Sequence, residues 1–338
     1  MNKSYLSFGI LGCGLVANIH AEALKSLDGA RFLCVTDTNL SKARDFAGKH
    51  GVRCHDSFED MLNDSEIDAV CICTPSGFHA ENAIRALNAG KHVVLEKPMA
   101  LNTQDCERIK EACAKNRKLL TVISQLRFSN DVATVKEAID SGKLGKIVMC
   151  SAYMKYWRSP EYYSDVSWRG TFAFDGGILM NQGVHGVDML LYLAGNAKVI
   201  NSKGKRLFHD IEFDDTVISM LEFESGALGV IEASTCAYPG LERRIEIIGT
   251  TGSAVLIENM IDKLIIDNNT VITKENLFKC GSANNPASID YVCHARQIDN
   301  FIRAILHGEK LMIDVEDGAM AIELIEKIYK NASGLSSL

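Results

Sequence analysis

Apolar residues fall in short unbroken runs through the first third of the chain and alternate with polar ones beyond it. Leu6–Leu11, Arg31–Thr36, Ala69–Cys73, His92–Leu95 and Leu119–Ile123 are mostly continuous apolar runs, the signature of strands buried on both faces. Helical spacing fills the gaps: from the Gly12–Gly14 turn through Lys25, over Ser41–His50, over Ala80–Ala89, and after a capping Asn102. This alternation predicts an α/β Rossmann domain, a doubly wound parallel sheet, over residues 1–126.

The rhythm then changes. Ile147–Met154, Ala197–Gly204, Thr216–Phe223, Ala227–Ser234, Arg243–Ile248, Ser253–Ile257 and Lys263–Ile266 read as strands without helices between them. Glu224-Ser225-Gly226 and Gly249-Thr250-Thr251-Gly252 are hairpin turns by composition. Two helices, near Ser288–Leu306 and Glu316–Asn331, close the chain, preceded by a loop over Lys279–Ala287. Residues 127–338 are therefore expected to form an α+β domain with a mixed or mainly antiparallel sheet.

Composition narrows the function. With 338 residues, 47% hydrophobic and 23% charged, the chain has material for two cores. A net charge of −7 argues against nucleic acid or an anionic membrane as partner. No apolar stretch approaches the ~18 residues that cross a bilayer, and the start, MNKSYLSFGILGCG, lacks the apolar core of a signal peptide. The 11 cysteines show no C-x-x-C and no regular spacing, so they read as free thiols of a cytoplasmic protein.

Chemistry concentrates at strand ends. Gly12-Cys13-Gly14-Leu15-Val16-Ala17 fits G-x-G-x-x-[GA] between a strand and a helix, the setting of the dinucleotide fingerprint. Gly12 permits the tight turn, Gly14 lets backbone approach a pyrophosphate, and Ala17 lets helix and strand pack closely. Asp37 ends the second strand, where a carboxylate accepts from ribose hydroxyls and repels a 2′-phosphate, so NAD is favoured over NADP. Thr74, Pro75 and His79 follow the third apolar run, and Glu96-Lys97-Pro98 the next, at the crevice where open α/β sheets bind ligands. Pro98 restricts Lys97, holding it on a short stiff segment. With Leu15, Val16, Gln125, Trp168 and Arg169 these residues make up the expected cofactor set.

LMNQGVHGVDML, residues 179–190, reads as a buried helix, yet Asn181, His185 and Asp188 recur at i, i+4 and i+7 along one face. An imidazole titrating near pH ~6.5 can take a proton from an alcohol. Asp188 reads as structural. Lys155, Arg158 and Tyr163, with the aromatics around them, suit a sugar ring with an anionic substituent. Arg243-Arg244 is a possible partner for a phosphate or a neighbouring subunit. His50, Cys54 and His55 lack a matching fourth ligand, so no metal is expected.

GCGLVA, TPSGFH, LEKPMA and SWRGTFAFDGGILMNQGVHGVDML together resemble the Gfo/Idh/MocA oxidoreductase family over essentially the whole chain. The EYY…WRGT…DGG…MNQ…H..D text is similar to that of its UDP-N-acetylglucosaminuronate 3-dehydrogenase branch. The resemblance implies bound NAD(P) facing a secondary alcohol, Lys97 and His185 as catalytic residues, and a sheet that joins subunits into a homodimer or homotetramer. Asn181 stands where many members carry Asp, which implies a neutral amide orienting the site. The expected activity is oxidation of a sugar-type hydroxyl at C3. An inositol or free-sugar dehydrogenase and a non-catalytic NAD(P)-binding regulator are the alternatives.

Overall fold

The computed structural model describes residues 3–267, 269–272 and 290–332. They form two compact units, one holding residues up to Gln125 together with Asp290–Ala319, the other holding the rest. The predicted Lys279–Ala287 loop lies outside the described residues.

In the first unit the strands are β1 (Leu6–Leu11), β2 (Ala30–Thr36), β3 (Arg53–Cys54), β4 (Ala69–Ile72), β5 (His92–Leu95) and β6 (Leu120–Val122). They run parallel in the order β3-β2-β1-β4-β5-β6. This order reverses direction beside β1, so the ends of β1, β2 and β4 open onto one crevice. The crossovers are helices α1 (Leu15–Lys25), α2 (Leu40–His50), α3 (Phe58–Asn63), α4 (His79–Asn88) and α5 (Thr103–Asn116). Asn39, Ser57 and Asn102 cap α2, α3 and α5 through their side-chain oxygens. Strands β1 and β4 are buried along their whole length, as their unbroken apolar runs require. The two-residue β3 and the short α3 carry too little periodicity to be read from sequence.

The second unit contributes α6 (Asn130–Asp140), β7 (Ile147–Lys155), α7 (Pro160–Ser164), α8 (Val184–Ala194), β8 (Ala197–Lys205), β9 (Thr216–Phe223), β10 (Leu228–Ser234), β11 (Arg244–Gly249), β12 (Gly252–Ile257), β13 (Met260–Ile266) and β14 (Asn269–Ile272). The eight strands are ordered β14-β13-β12-β11-β7-β10-β9-β8, with β7 and β10 parallel and every other pair antiparallel. Alternation along β9 is strict: Val217, Ser219, Leu221 and Phe223 are buried, while Ile218 and Met220 are about half exposed, at 49% and 53%.

The closing helices are α9 (Val292–His307) and α10 (Val315–Ala332). The sequence places both in the second domain, but Asp290–Ala319 groups with the first unit. Ala295, Ile298, Phe301 and Ile302 of α9 join the core that contains Phe8, Ile10, Ala17 and Leu24. An amphipathic stripe shows that a helix is covered and leaves open which core covers it.

Candidate active site

The glycine turn follows from local geometry. Gly12 has φ +92°, and a Cβ there would lie 2.8 Å from the Cys73 carbonyl oxygen. No larger residue fits this turn without strain. At Gly14, which caps α1, a Cβ would meet nothing within 4 Å. That open space at a helix N-terminus is where a pyrophosphate approaches the backbone. Leu15 beside it is 62% exposed.

Asp37 braces this turn. Its Oδ2 accepts the Cys13 N–H at 2.8 Å and its Oδ1 the Asn39 N–H at 2.9 Å. Each carboxylate oxygen keeps a second lone pair for a ribose hydroxyl. Lys42, which the sequence reading did not weigh, brings its ammonium to 3.9 Å from the same carboxylate. The glycine turn, its open space and this acceptor together fit NAD.

Three residues expected to touch the cofactor are buried. His79 is buried, with Nδ1 2.7 Å from the Pro98 carbonyl oxygen and Nε2 2.9 Å from that of Thr74. Its ring ties the ends of β4 and β5 together and is engaged at both nitrogens. Glu96 is 6% exposed and turns inward, its Oε1 2.8 Å from His20 Nε2. Burial alone would raise its carboxyl, yet the His20 hydrogen bond and charge, with His294 and Lys97, bring it down to about 2. Gln125 is 5% exposed, and its buried Oε1 has no hydrogen-bond partner among the described residues. That orphan acceptor keeps Gln125 a candidate ligand-facing group. Thr74, Pro75 and Lys97 are half-buried at the strand ends, as expected.

In the second unit, the polar stripe is split by a wider turn. Leu179–Gly183 is a π-helical turn, and α8 begins at Val184. Such turns are rare and concentrate at functional sites. Gly183 and Gly186 face β7: a Cβ at Gly186 would lie 2.2 Å from the Met154 sulfur. The two glycines let α8 press onto the sheet while His185 stays partly exposed. The Asn181 amide donates to Asp175 Oδ1, and Asp175 Oδ2 accepts the Gly170 N–H at 2.8 Å. The sequence names Asn181 as orienter and misses Asp175, which precedes the Gly176-Gly177 pair. Asp188 is structural, as expected: it accepts two hydrogen bonds from Arg127, at 2.6 and 3.1 Å, with both side chains buried.

The predicted substrate residues separate into two groups. Arg158 donates from Nε and Nη2 to Gln182 Oε1 at 3.2 and 2.7 Å, and Gln182 Nε2 donates to the Tyr162 hydroxyl at 2.8 Å. Arg169 stacks its guanidinium 4.1 Å from the Tyr162 ring centre, and its buried Nε has no hydrogen-bond partner among the described residues. Trp168 lies beside it, its carbonyl accepting from Thr171 Oγ1 at 2.7 Å. Gln182 and Tyr162 thus link the π-helical turn to the end of β7. Lys155 and Tyr163 have partners on β10 and just beyond it. The Lys155 ammonium pairs with Glu232 at 2.7 Å across the sheet. The Tyr163 hydroxyl donates to Thr235 Oγ1 at 3.1 Å, and burial pushes its pKa above the ordinary range. Arg243 is likewise taken, paired with buried Glu258 at 2.8 Å.

His50 packs 4.4 Å from the Phe46 ring and His55 pairs with Asp64 at 3.2 Å, so each is engaged by a different group. Every described cysteine is a free thiol, and no helix among the described residues is long and apolar enough to cross a membrane.

Comparison with known proteins agrees with this architecture. Residues 6–124 match the Gfo/Idh/MocA oxidoreductase family, NAD-binding Rossmann fold, and residues 132–255 match the Gfo/Idh/MocA C-terminal domain. The WlbA dehydrogenase of Bordetella pertussis, solved with NADH and UDP-GlcNAcA, is 31% identical, with a TM-score of 0.87 over 98% of both chains. The WlbA enzyme of Chromobacterium violaceum, solved with the same two ligands, is 31% identical, with a TM-score of 0.85 over 99% of this chain and 95% of that one. Inositol 2-dehydrogenase of Rhizobium meliloti is 30% identical over 96% of both chains. From its glycine turn, its strand-end lysine and these matches along its length, the chain belongs to the Gfo/Idh/MocA family of NAD-dependent oxidoreductases.

Proposed function

We propose that the protein oxidises a secondary hydroxyl of a nucleotide-linked sugar acid, with C3 of the pyranose as the reacting carbon. The observation that carries this reading is the π-helical turn that presents Asn181 on Asp175 immediately before His185. NAD, when bound, supplies the hydride acceptor at nicotinamide C4. His185 takes the hydroxyl proton from the substrate. Lys97 donates a hydrogen bond to a substrate hydroxyl or the nicotinamide ribose and stabilises negative charge there. Asn181, held by Asp175, orients the substrate. Gly12, Gly14 and Asp37 hold the dinucleotide.

Arg169 is the favoured partner for the substrate's anionic groups. Its Nε is buried without an acceptor among the described residues, a donor that a carboxylate or phosphate satisfies. The likeness to two enzymes solved with NADH and UDP-GlcNAcA supports this reading over a free-sugar substrate. An inositol substrate is the second reading, supported by the match to an inositol 2-dehydrogenase.

The proposed assembly is a homodimer or homotetramer joined through the outer face of the eight-stranded sheet. Met149, Ile218, Met220 and Leu228 are each about half exposed there, and Leu228 lies opposite Met149 in the β7–β10 ladder. Free thiols throughout the described residues support a reducing, cytoplasmic setting.

The test is NADH formation at 340 nm with UDP-sugars, free sugars, glycosides and inositols, each with NAD and NADP. Turnover with UDP-N-acetylglucosaminuronate and NAD is expected, and loss of it in His185→Ala and Lys97→Ala. Near-normal turnover in either variant overturns its assigned role, and turnover with inositols alone selects the second reading.

A further inference from the structure

We propose that His20 and His294 are positioning residues that act through the Glu96 carboxylate to fix Lys97 relative to the dinucleotide-binding helix. The inference rests on the proposed role of Lys97.

Three elements of the first unit meet at this carboxylate. His20 lies on α1, the helix that starts at the Gly14 turn, and is fully buried. Its Nε2 is 2.8 Å from Glu96 Oε1. His294 lies on α9, 2% exposed, with Nε2 3.9 Å from the same oxygen. Glu96 Oε2 accepts the backbone N–H of Lys97 at 3.2 Å, and the Glu96 N–H donates to the Ile72 carbonyl of β4 at 3.0 Å. One carboxylate therefore joins α1 to the peptide that carries Lys97, and the neutral His294 of α9 packs beside it. His79, bonded to the Pro98 carbonyl, holds the next residue from the other side.

The charges agree with one buried ion pair. The groups facing it are His20, Glu96, His294, Cys71, Cys73 and Lys97. Burial disfavours a charged His20, but the Cys73 and Cys71 sulfurs and Glu96 overcome it and raise its pKa well above 6.5. Burial holds the Cys73 thiol at about 11, so near neutral pH the opposing charge is that of Glu96. His294, its ring centre 5.7 Å from that of His20, is lowered to about 4 by burial and stays neutral. An ion pair at this depth is a costly way to fill space. What it adds over apolar packing is a directional fix on the Lys97 peptide, and catalysis is sensitive to displacements of about 1 Å.

The same three donors lie within 4.8 Å of one another, close enough to raise a metal as the alternative occupant. The direct contact between His20 and Glu96 favours a proton between them.

Two measurements test the inference. Ring 15N spectra of the whole protein, free and with NAD, are expected to show His20 as imidazolium and His294 as neutral at pH 8. With UDP-N-acetylglucosaminuronate as probe, His20→Gln keeps an amide donor for Glu96 and loses the charge. It is expected to lower kcat roughly 10- to 100-fold while KM for NAD moves less than about twofold. His294→Gln serves as a second variant should His20→Gln fold poorly, with the same split expected. A neutral His20, a variant that melts earlier yet keeps its kcat, or stoichiometric zinc surviving EDTA would each overturn the inference. If Lys97→Ala is inactive while His20→Gln turns over normally, only this inference falls. Normal turnover in Lys97→Ala brings down the reading of Lys97 and this inference with it.

Discussion

The Tyr329 hydroxyl oxygen accepts the Leu179 N–H at 2.7 Å and lies within 3.4 Å of the Met180 nitrogen. A tyrosine near the end of the chain thereby caps the π-helical turn that presents Asn181. Gly177, at φ +98°, lets the chain pass over that hydroxyl, where a Cβ would come within 2.6 Å. Tyr329→Phe leaves both N–H groups without this acceptor. Stability should fall by about 1–3 kcal/mol, and turnover should fall with it because Asn181 loses its support. Unchanged urea denaturation and unchanged kcat would show that the turn holds without the cap.

The Arg127–Asp188 pair is buried on both sides, at 3% and 6% side-chain exposure. Asp188→Asn strands a buried guanidinium and should cost about 3–5 kcal/mol. The double variant Arg127→Met with Asp188→Leu should recover most of that loss. Equal destabilisation in both, followed by thermal melting, would mean the charges matter less than the shape they fill.

Gly12 and Gly14 should fail differently. Gly12→Ala meets the Cys73 carbonyl at a left-handed φ and should destabilise the free protein by about 2 kcal/mol or more. Gly14→Ala meets nothing, so its melting temperature should stay at the parental value while NAD affinity falls at least roughly tenfold. Calorimetric titration with NAD beside a melting curve separates the two. Parental NAD affinity in Gly14→Ala would remove that glycine from the pyrophosphate site.

Asp37 braces the Cys13 N–H and is the proposed acceptor for the ribose hydroxyls. Asp37→Ser should weaken NAD and raise the NADP-to-NAD ratio of kcat/KM. Since the backbone N–H groups of Cys13 and Asn39 both lose this carboxylate, about 1–2 kcal/mol of stability should go with it. A ratio that does not move would assign Asp37 to the turn alone.

His294 makes the fold sensitive to acid. Its folded pKa, about 4, lies below the ordinary 6.5, through burial first and the nearby His20 second. As pH falls through 6.5 the unfolded chain takes up a proton that the folded chain refuses until about 4. Stability therefore declines across that window, by roughly 2–3 kcal/mol from this group. Glu96, lowered to about 2 from 4.5, adds stability that is present above 4.5 and lost as pH falls toward 2. Melting at pH 7 and pH 5 should show a smaller drop for His294→Gln than for the parent. Parallel drops would place the acid sensitivity elsewhere.

Much of this was written in the sequence because it depends on near neighbours in the chain. Continuous apolar runs demanded strands buried on both faces, and the glycine turn demanded a strand before it and a helix after it. Lys97 and His185 stood out because each is a polar group at a position whose neighbours fix its backbone. The tertiary structure alone decided who their partners are. Nothing near Glu96 in sequence marks His20 or His294, which are 76 residues before it and on the distant α9. Nothing near Leu179 marks Tyr329, 150 residues on. Lys155, Tyr163, His79 and Arg243 have the residue types of a binding site, and each was claimed by a partner on another element. Side-chain chemistry is local, but the free energy of burying a polar group is set by what packing brings to it.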